Sequence, residues 1–361
     1  RDQSQPDNHR PGRIRHEPHS KGTKSTMKTS KHKGIRYWFL WFMGISMPVM
    51  LLMLDYFALL RGITAWKVLW GILLLYLFFA VSRAVRGTSP GRFPVFESDP
   101  ERLGFQYSDV DFPSRDGLLL SGWFVPSQNG ATIVLCHGFG GNRLMVGPIA
   151  RMLIKHGFGV LMFDFRAHGR SPGDLSTWGW LETNDLLGAV DFLGQRREVD
   201  ATRIGVLGYS LGGQVALRAA PGCELIRAVA AEGPSPAVLA DHLLSKRLTI
   251  RKILFLPYFW LLYGYHRLLV GTPTPVGVIA CMPQIAPRPL LLITSGEKGE
   301  KLFVHTLYER AGEPKTLYEI PEARHTEGVL ARPEEYEEKV VGFFAQMVNE
   351  EIGISDQKTL L

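Results

Sequence analysis

Cysteine is scarce in this chain, with three among 361 residues. Cys136, Cys223 and Cys281 are odd in number, widely spaced and outside any C-x-x-C or Cys/His ligand pattern, which excludes a disulfide scaffold and a structural zinc site. They read as buried thiols of a reducing compartment. The sequence also lacks an H-E-x-x-H pair, a P-loop glycine run and an EF-hand loop, so neither a metal nor a cofactor is expected. Low-complexity composition is missing too. With 45% apolar and 21% charged residues, and 38 Gly and 23 Pro spread along its length, the chain can bury a core and is neither disordered nor collagen-like.

What is there is charge of one sign, but only at one end. The formal net charge is +7. Residues 1–36 hold ten Lys or Arg against three Asp or Glu, and the other 325 residues carry 31 of each sign. A basic whole would suggest nucleic acid; a basic tail on a neutral body does not, and no nucleic-acid partner is expected. The segment 1–36 has too little apolar surface to offset the entropy of ordering, and reads as a disordered tail. Met27 is a candidate true start within it.

From Tyr37 to Leu60 only Asp55 is charged, and 24 residues at about 1.5 Å each are long enough to cross a hydrocarbon layer of about 30 Å. A second apolar stretch, Ile63 to Ser82, is broken only by Lys67. The pair, about residues 37–85, is expected to form a transmembrane helical hairpin. The Lys and Arg on both outer flanks point to two cytoplasmic ends, hence a multi-pass membrane protein with its downstream domain in the cytoplasm. If the second stretch lies in the interface instead, the downstream domain changes sides. Residues 86–104 read as a linker.

From residue 105 to about 350 the pattern is one of short apolar runs and turns. An opening hairpin, Tyr107–Phe112 and Leu118–Val125, is followed by runs typical of buried parallel strands: Thr132–Cys136, Gly159–Phe163, Arg203–Leu207, Ile226–Ala230, Leu290–Thr294 and Thr316–Ile320. Helical patterns near Leu144–His156, Trp180–Arg196 and Leu211–Ala220 separate them. The alternation predicts an α/β fold with a doubly wound, mostly parallel sheet, whose chemistry gathers at the carboxyl ends of the strands. Residues 351–361 form a C-terminal tail in this scheme.

Gly208-Tyr209-Ser210-Leu211-Gly212 matches G-x-S-x-G and sits between an apolar strand and a helix, the setting that forces the Ser into a tight, exposed turn. At an earlier strand end, His137-Gly138-Phe139-Gly140-Gly141 is a flexible loop. Its Phe139 N–H and the Leu211 N–H at the helix start are candidate donors of an oxyanion hole. His137 precedes the Ser in the chain and reads as a residue that orders this loop. Asp164 and Arg166 are expected to brace neighbouring loops, and Glu182, Asp185 and Asp191 to be caps and a solvated face.

HGFGGNR (137–143), DFRAHGRSPG (164–173), GYSLGG (208–213) and EARHTEG (322–328), in this order, resemble the α/β-hydrolase superfamily, above all its bacterial serine hydrolases of esterase or peptidase-like type. The likeness runs from about Phe105 to Val348. It implies a nucleophile–acid–histidine order, with Ser210 as nucleophile and His325 as base. It departs at the acid, for the family's Asp after the strand ending at Thr294 is missing and the loop reads Ser295-Gly296-Glu297-Lys298-Gly299-Glu300. Either carboxylate can orient an imidazole. Glu300 is the first choice, Glu297 the alternative, and a third possibility is that both are solvated charges.

The expected function is that of a membrane-anchored serine hydrolase that cleaves a carboxylic ester, thioester or amide through an acyl-enzyme on Ser210. The competing reading is a catalytically impaired binding or scaffold protein. A helical cap is expected over about residues 234–287. Its segment Arg247–Val270, rich in Leu, Phe, Tyr and Trp with interspersed cations, suits either a lid over an acyl pocket or a helix lying on a bilayer. The expected partners are therefore a small or lipid-like acyl substrate and the membrane.

Overall fold

The computed structural model describes residues 49, 50, 52, 53, 55, 56, 64–88, 103–244, 250–271 and 273–349. Eight strands form one sheet in the order β1-β2-β4-β3-β5-β6-β7-β8. They are β1 (Ser108–Pro113), β2 (Leu119–Val125), β3 (Thr132–Cys136), β4 (Gly159–Phe163), β5 (Ile204–Tyr209), β6 (Ile226–Glu232), β7 (Leu290–Ser295) and β8 (Lys315–Ile320). The opening hairpin β1–β2 and the β2–β4 pair are antiparallel, and every later pair is parallel.

Strands β3, β4 and β5 are buried along their whole length, as strands covered on both faces must be. Alternate residues serve opposite faces. Val134 and Cys136 pack with α3 (Glu182–Gly194), α4 (Leu211–Ala219) and α8 (Lys298–Arg310), through side chains such as Leu186, Val215 and Leu307. Ile133 and Leu135 pack with α2 (Gly147–Lys155) and α10 (Pro333–Asn349), through Ile149, Tyr336 and Phe344. Each such side chain, withdrawn fully from water, contributes about 1.5–3 kcal/mol. The three cysteines are free and buried.

Between β6 and β7 the chain inserts α5 (Leu239–Leu244), α6 (Ile250–Val270) and the short α7 (Val278–Cys281). Asp241 pins this excursion to itself. Its carboxylate accepts from the N–H groups of Ala237, Val238, Val278 and Ile279 at 2.9–3.2 Å.

The N-terminal expectation needs correction. Among the described residues no helix is long and apolar enough to cross a membrane, so the transmembrane hairpin is not supported. Most of residues 37–60, like the segments 1–36 and 351–361, lies outside the described residues. The second apolar stretch does form a helix, α1 (Thr64–Gly87), but part of its apolar surface is spent on the protein itself. Val81 and Val85 pack against Leu262 and Tyr265 of α6. Near its start Lys67 pairs with Asp55 at 3.2 Å. Trp66, Leu69, Trp70 and Leu73, at i, i+3, i+4 and i+7, remain exposed on another face.

Candidate active site

The strand–helix junction at Ser210 is built by glycines at close approaches. A Cβ on Gly208 would stand 2.2 Å from the Gly212 carbonyl oxygen, and one on Gly212 would stand 2.3 Å from that of Cys136. Only glycine lets helix α4 start this close to β3 and β5. Ser210 itself has φ +50° and ψ −106°, a left-handed conformation that costs a non-glycine residue on the order of 1–3 kcal/mol and persists only where the surroundings enforce it. They do so through hydrogen bonds on both sides: the Ser210 N–H donates to the Glu232 carbonyl at 2.9 Å, and its own carbonyl accepts from Gln214 N–H at 3.1 Å.

Leu211 opens α4, so its N–H has no acceptor one turn back within the helix and adds to the positive end of the helix dipole beside Ser210. Gly138, next to Phe139, lies against the nucleophile: a Cβ on it would be 3.5 Å from Ser210 Cβ. Two buried histidines hold this loop. His137 Nδ1–H donates to Gly138 O at 2.7 Å, while its Nε2 accepts from the Phe165 N–H at 3.0 Å. His168 Nε2 accepts from the Gly140 N–H at 3.1 Å. Burial, with His168 beside it, pulls the His137 pKa down to about 4, so the ring is neutral at pH 7 and fixed as a clamp. The Phe139 ring packs against Trp178 and His168, with centroids 4.7 and 5.9 Å away.

Beneath the loop, Asp164 accepts from Arg143 Nη2 at 2.7 Å and from the Arg143 N–H at 2.8 Å, with both side chains wholly buried. Arg166 is gripped by Asp185 and Asp116. The brace expected of Asp164 and Arg166 is therefore present, but the expectation for α3 was wrong in part. Glu182 and Asp185 are buried: Glu182 accepts from Ser176, Thr177 and Gly179, and Asp185 from Arg166. Periodicity places acids on a helix without revealing that a loop folds over them. Asp191 does lie at the surface, paired with Arg115 at 2.7 Å.

His325 lies after β8, in the loop before α9 (Gly328–Ala331). Its Nδ1–H donates to Glu300 Oε2 at 2.5 Å. Glu300 is on the first turn of α8, its side chain 6% exposed, and accepts from Ser295 N–H at 2.6 Å. Burial alone would raise its pKa, but the bonds from His325 and Ser295 outweigh it and hold the carboxyl below its ordinary value. The same bond from Glu300 raises the His325 pKa above 6.5, against the opposing effect of burial. Glu297 also reaches the loop, by a different atom: its Oε1 accepts from the His325 backbone N–H at 3.3 Å. The two candidate acids thus hold different parts of one residue, Glu300 the ring and Glu297 the backbone. Gly233 keeps the space between them open, since a Cβ there would stand 2.9 Å from His325 Nδ1 and 3.0 Å from Glu300 Oε2.

A strained serine at a strand–helix elbow, a loop of backbone donors beside it and a carboxylate-bound histidine now stand at the carboxyl ends of β3, β5, β7 and β8. The profile of the alpha/beta hydrolase family matches residues 133–339, more than half of the chain. The chain belongs to the alpha/beta hydrolase family. Within it, the chain is 31% identical over 249 residues to the uncharacterized protein YfhR of Escherichia coli, covering 66% of this chain and 81% of that protein. It is 35% identical over 151 residues to the thiohydrolase aneE of Aspergillus aculeatus, covering 37% of this chain and 47% of that one. The solved esterase Pf2001 of Pyrococcus furiosus superposes with a TM-score of 0.58 at 28% identity, over 72% of this hydrolase and 97% of that chain.

One residue of this alpha/beta hydrolase was not singled out by its sequence. Glu232, at the end of β6, is 2% exposed and touches both the elbow and the histidine loop. A carboxylate closing a strand that is apolar from Ala228 to Ala231 was the one signal that could have drawn attention to it.

Proposed function

We propose that this chain is a serine hydrolase that transfers the acyl group of a carboxylic ester, thioester or amide to Ser210 and then to water. The observation that carries the reading is the Glu300–His325 bond: a carboxylate on Nδ1 leaves Nε2 as the basic nitrogen. Ser210 Oγ attacks the carbonyl carbon as His325 Nε2 takes its proton. The N–H groups of Phe139 and Leu211 stabilise the oxyanion. Collapse expels the leaving group, which takes the proton from the imidazolium. Water, deprotonated by the same nitrogen, then attacks the acyl-enzyme and regenerates Ser210. The likeness to an esterase favours an ester, and the thiohydrolase relative keeps thioesters in the range.

The test is a fluorophosphonate probe followed by peptide mapping. Labelling at Ser210 that vanishes on heat denaturation is expected. A folded wild-type protein that takes up no label would leave the binding or scaffold reading. A panel of p-nitrophenyl esters, thioesters and anilides then ranks the leaving groups.

We also infer that the enzyme works at the cytoplasmic surface of a cell membrane. Trp66, Leu69, Trp70 and Leu73 of α1 are exposed, and so are Trp260 and Leu268 of α6, the helix on which α1 packs. A tail of net charge +7 is drawn to the anionic inner leaflet. Supported this way, the cap faces lipid and admits acyl-chain substrates. The full chain is expected to float with vesicles containing phosphatidylserine, and the triple variant Trp66→Asp, Leu69→Asp, Trp70→Asp to stay behind. Wild-type protein that remains at the bottom of the gradient would rule the surface reading out.

A further inference from the structure

Glu232 is a buried carboxyl that the proposed acyl transfer does not use, although it stands among the groups that do. Its main-chain carbonyl accepts the Ser210 N–H at 2.9 Å. Its Oε1 accepts from the Gly328 N–H at 2.9 Å, three residues after His325, and its Oε2 accepts from the Tyr336 hydroxyl of α10 at 2.7 Å. The fit at Gly328 is close: a Cβ there would stand 2.9 Å from Oε1. The following residue, Gly233, lies directly under the His325 ring and the Glu300 carboxylate. One residue thereby joins the strand end that bends Ser210, the loop that carries His325 and the helix that closes that loop.

Resting on the serine-hydrolase reading, we propose that Glu232 is a positioning residue of His325, fixing its loop against the Ser210 elbow and placing a third carboxyl, after Glu300 and Glu297, in the field of the imidazole. The titratable groups that face it are Tyr209 from β5, Tyr336 from α10, His325 from the β8–α9 loop and Glu300 from α8. Strand β7, paired with β6 on its other side, contributes Ile293 opposite and no charge. A carboxyl so placed is difficult to ionise. Burial pushes its pKa up to about 7, the bonds from Tyr336 and Gly328 oppose this, and the Glu300 charge adds to it. When ionised it favours the protonated form of His325, as do Glu300 and Glu297.

This position has a consequence that simple support of the fold would not have. In Glu232→Gln the amide oxygen can still accept from Gly328 and its NH2 can donate to the Tyr336 oxygen, so the loop stays anchored while the charge is gone. The acidic midpoint of kcat/KM is expected to move to lower pH by on the order of half a unit, with a plateau within about threefold of wild type. Glu232→Ala leaves both donors without an acceptor and is expected to lower kcat by about 10–100-fold with little change in KM. An acid limb in Glu232→Gln that superimposes on that of wild type would reduce Glu232 to ordinary packing. If Glu232→Gln does not fold, the imidazole titration of His325 in the wild-type protein carries the test. Two inflections are expected by NMR, and a single-site curve would overturn the coupling. Fluorophosphonate labelling of the same wild-type preparation separates the two failures. Labelled Ser210 with no shift refutes the role of Glu232 alone, whereas unlabelled Ser210 refutes the acyl-enzyme reading and this inference with it.

Discussion

Ser210→Ala is expected to lower kcat for a p-nitrophenyl ester by about 10⁴–10⁶ and to abolish fluorophosphonate labelling. In the proposed mechanism the side chain supplies the only atom to which the acyl group is transferred, and alanine accepts the same backbone geometry no worse than serine does. The loss should therefore come without a matching loss of stability. His325→Ala should cost a similar factor, because an unassisted hydroxyl is a poor nucleophile at neutral pH. Since the two act as one unit, the double variant should be scarcely slower than either single one. Circular dichroism and stopped turnover on the same samples check this. A Ser210→Ala protein that turns over within tenfold of wild type would mean that the acyl group never rests on Ser210.

The second large effect separates the two glutamates. Glu300→Ala is expected to lower kcat by about 10²–10⁴, and Glu297→Ala by less than tenfold. Glu300 Oε2 receives the proton-bearing Nδ1 at 2.5 Å and so fixes the tautomer that leaves Nε2 free. Glu297 holds only the backbone N–H of that loop, at 3.3 Å. The pH dependence gives an independent reading with a definite sign. His325 must be neutral to act as base, and its pKa is raised above 6.5, first by the bond from Glu300. The acid limb of kcat/KM is thus expected at higher pH than an ordinary imidazole would give, and in Glu300→Gln it should move to lower pH even as the plateau falls. Near-equal losses in the two alanine variants, or a larger one in Glu297→Ala, would transfer the acid's role to Glu297.

Burial of the Glu300 carboxyl is what makes this assignment physical. At 6% exposure it has given up most of its water, and the donors that replace it come from Ser295, Thr294 and His325. A group in that position contributes through its hydrogen bonds rather than as a screened surface charge. An aspartate at 300 would be one methylene shorter, and the reach to His325 depends on that length.

Much of this was legible along the chain. The sheet follows from short apolar runs, buried along their whole length in β3, β4, β5 and β7, a pattern that needs no knowledge of partners, and every expected strand is observed within about two residues of its expected ends. The Ser210 elbow was readable because its glycines stand at fixed spacing around the Ser, although only the Gly208–Gly212 approach lies within one turn and Gly212 is pressed by the Cys136 carbonyl of β3. The braces of Asp164 and Arg166 could be expected, but the burial of Glu182 and Asp185 could not, since it depends on the loop at 176–179 folding over Glu182 and on Arg166 reaching Asp185. The expectation of a spanning segment at Ile63 to Ser82 went unsupported for the same reason. A run of apolar residues reads alike whether its neighbours are lipid or, as for Val81 and Val85, another helix of the same protein.

By itself the sequence determined the family, the order of the motifs along the strands, and the candidate nucleophile and histidine, because each is written in residues that are near neighbours in the chain. Only the tertiary structure decided which glutamate meets the imidazole, that Glu232 ties His325 to the elbow, and that α1 rests on the cap. Those pairings join residues 25, 96 and roughly 180 positions apart. Hydrogen bonds and side-chain contacts act over a few ångströms of space, and the folded sheet alone sets which distant residues come within that range.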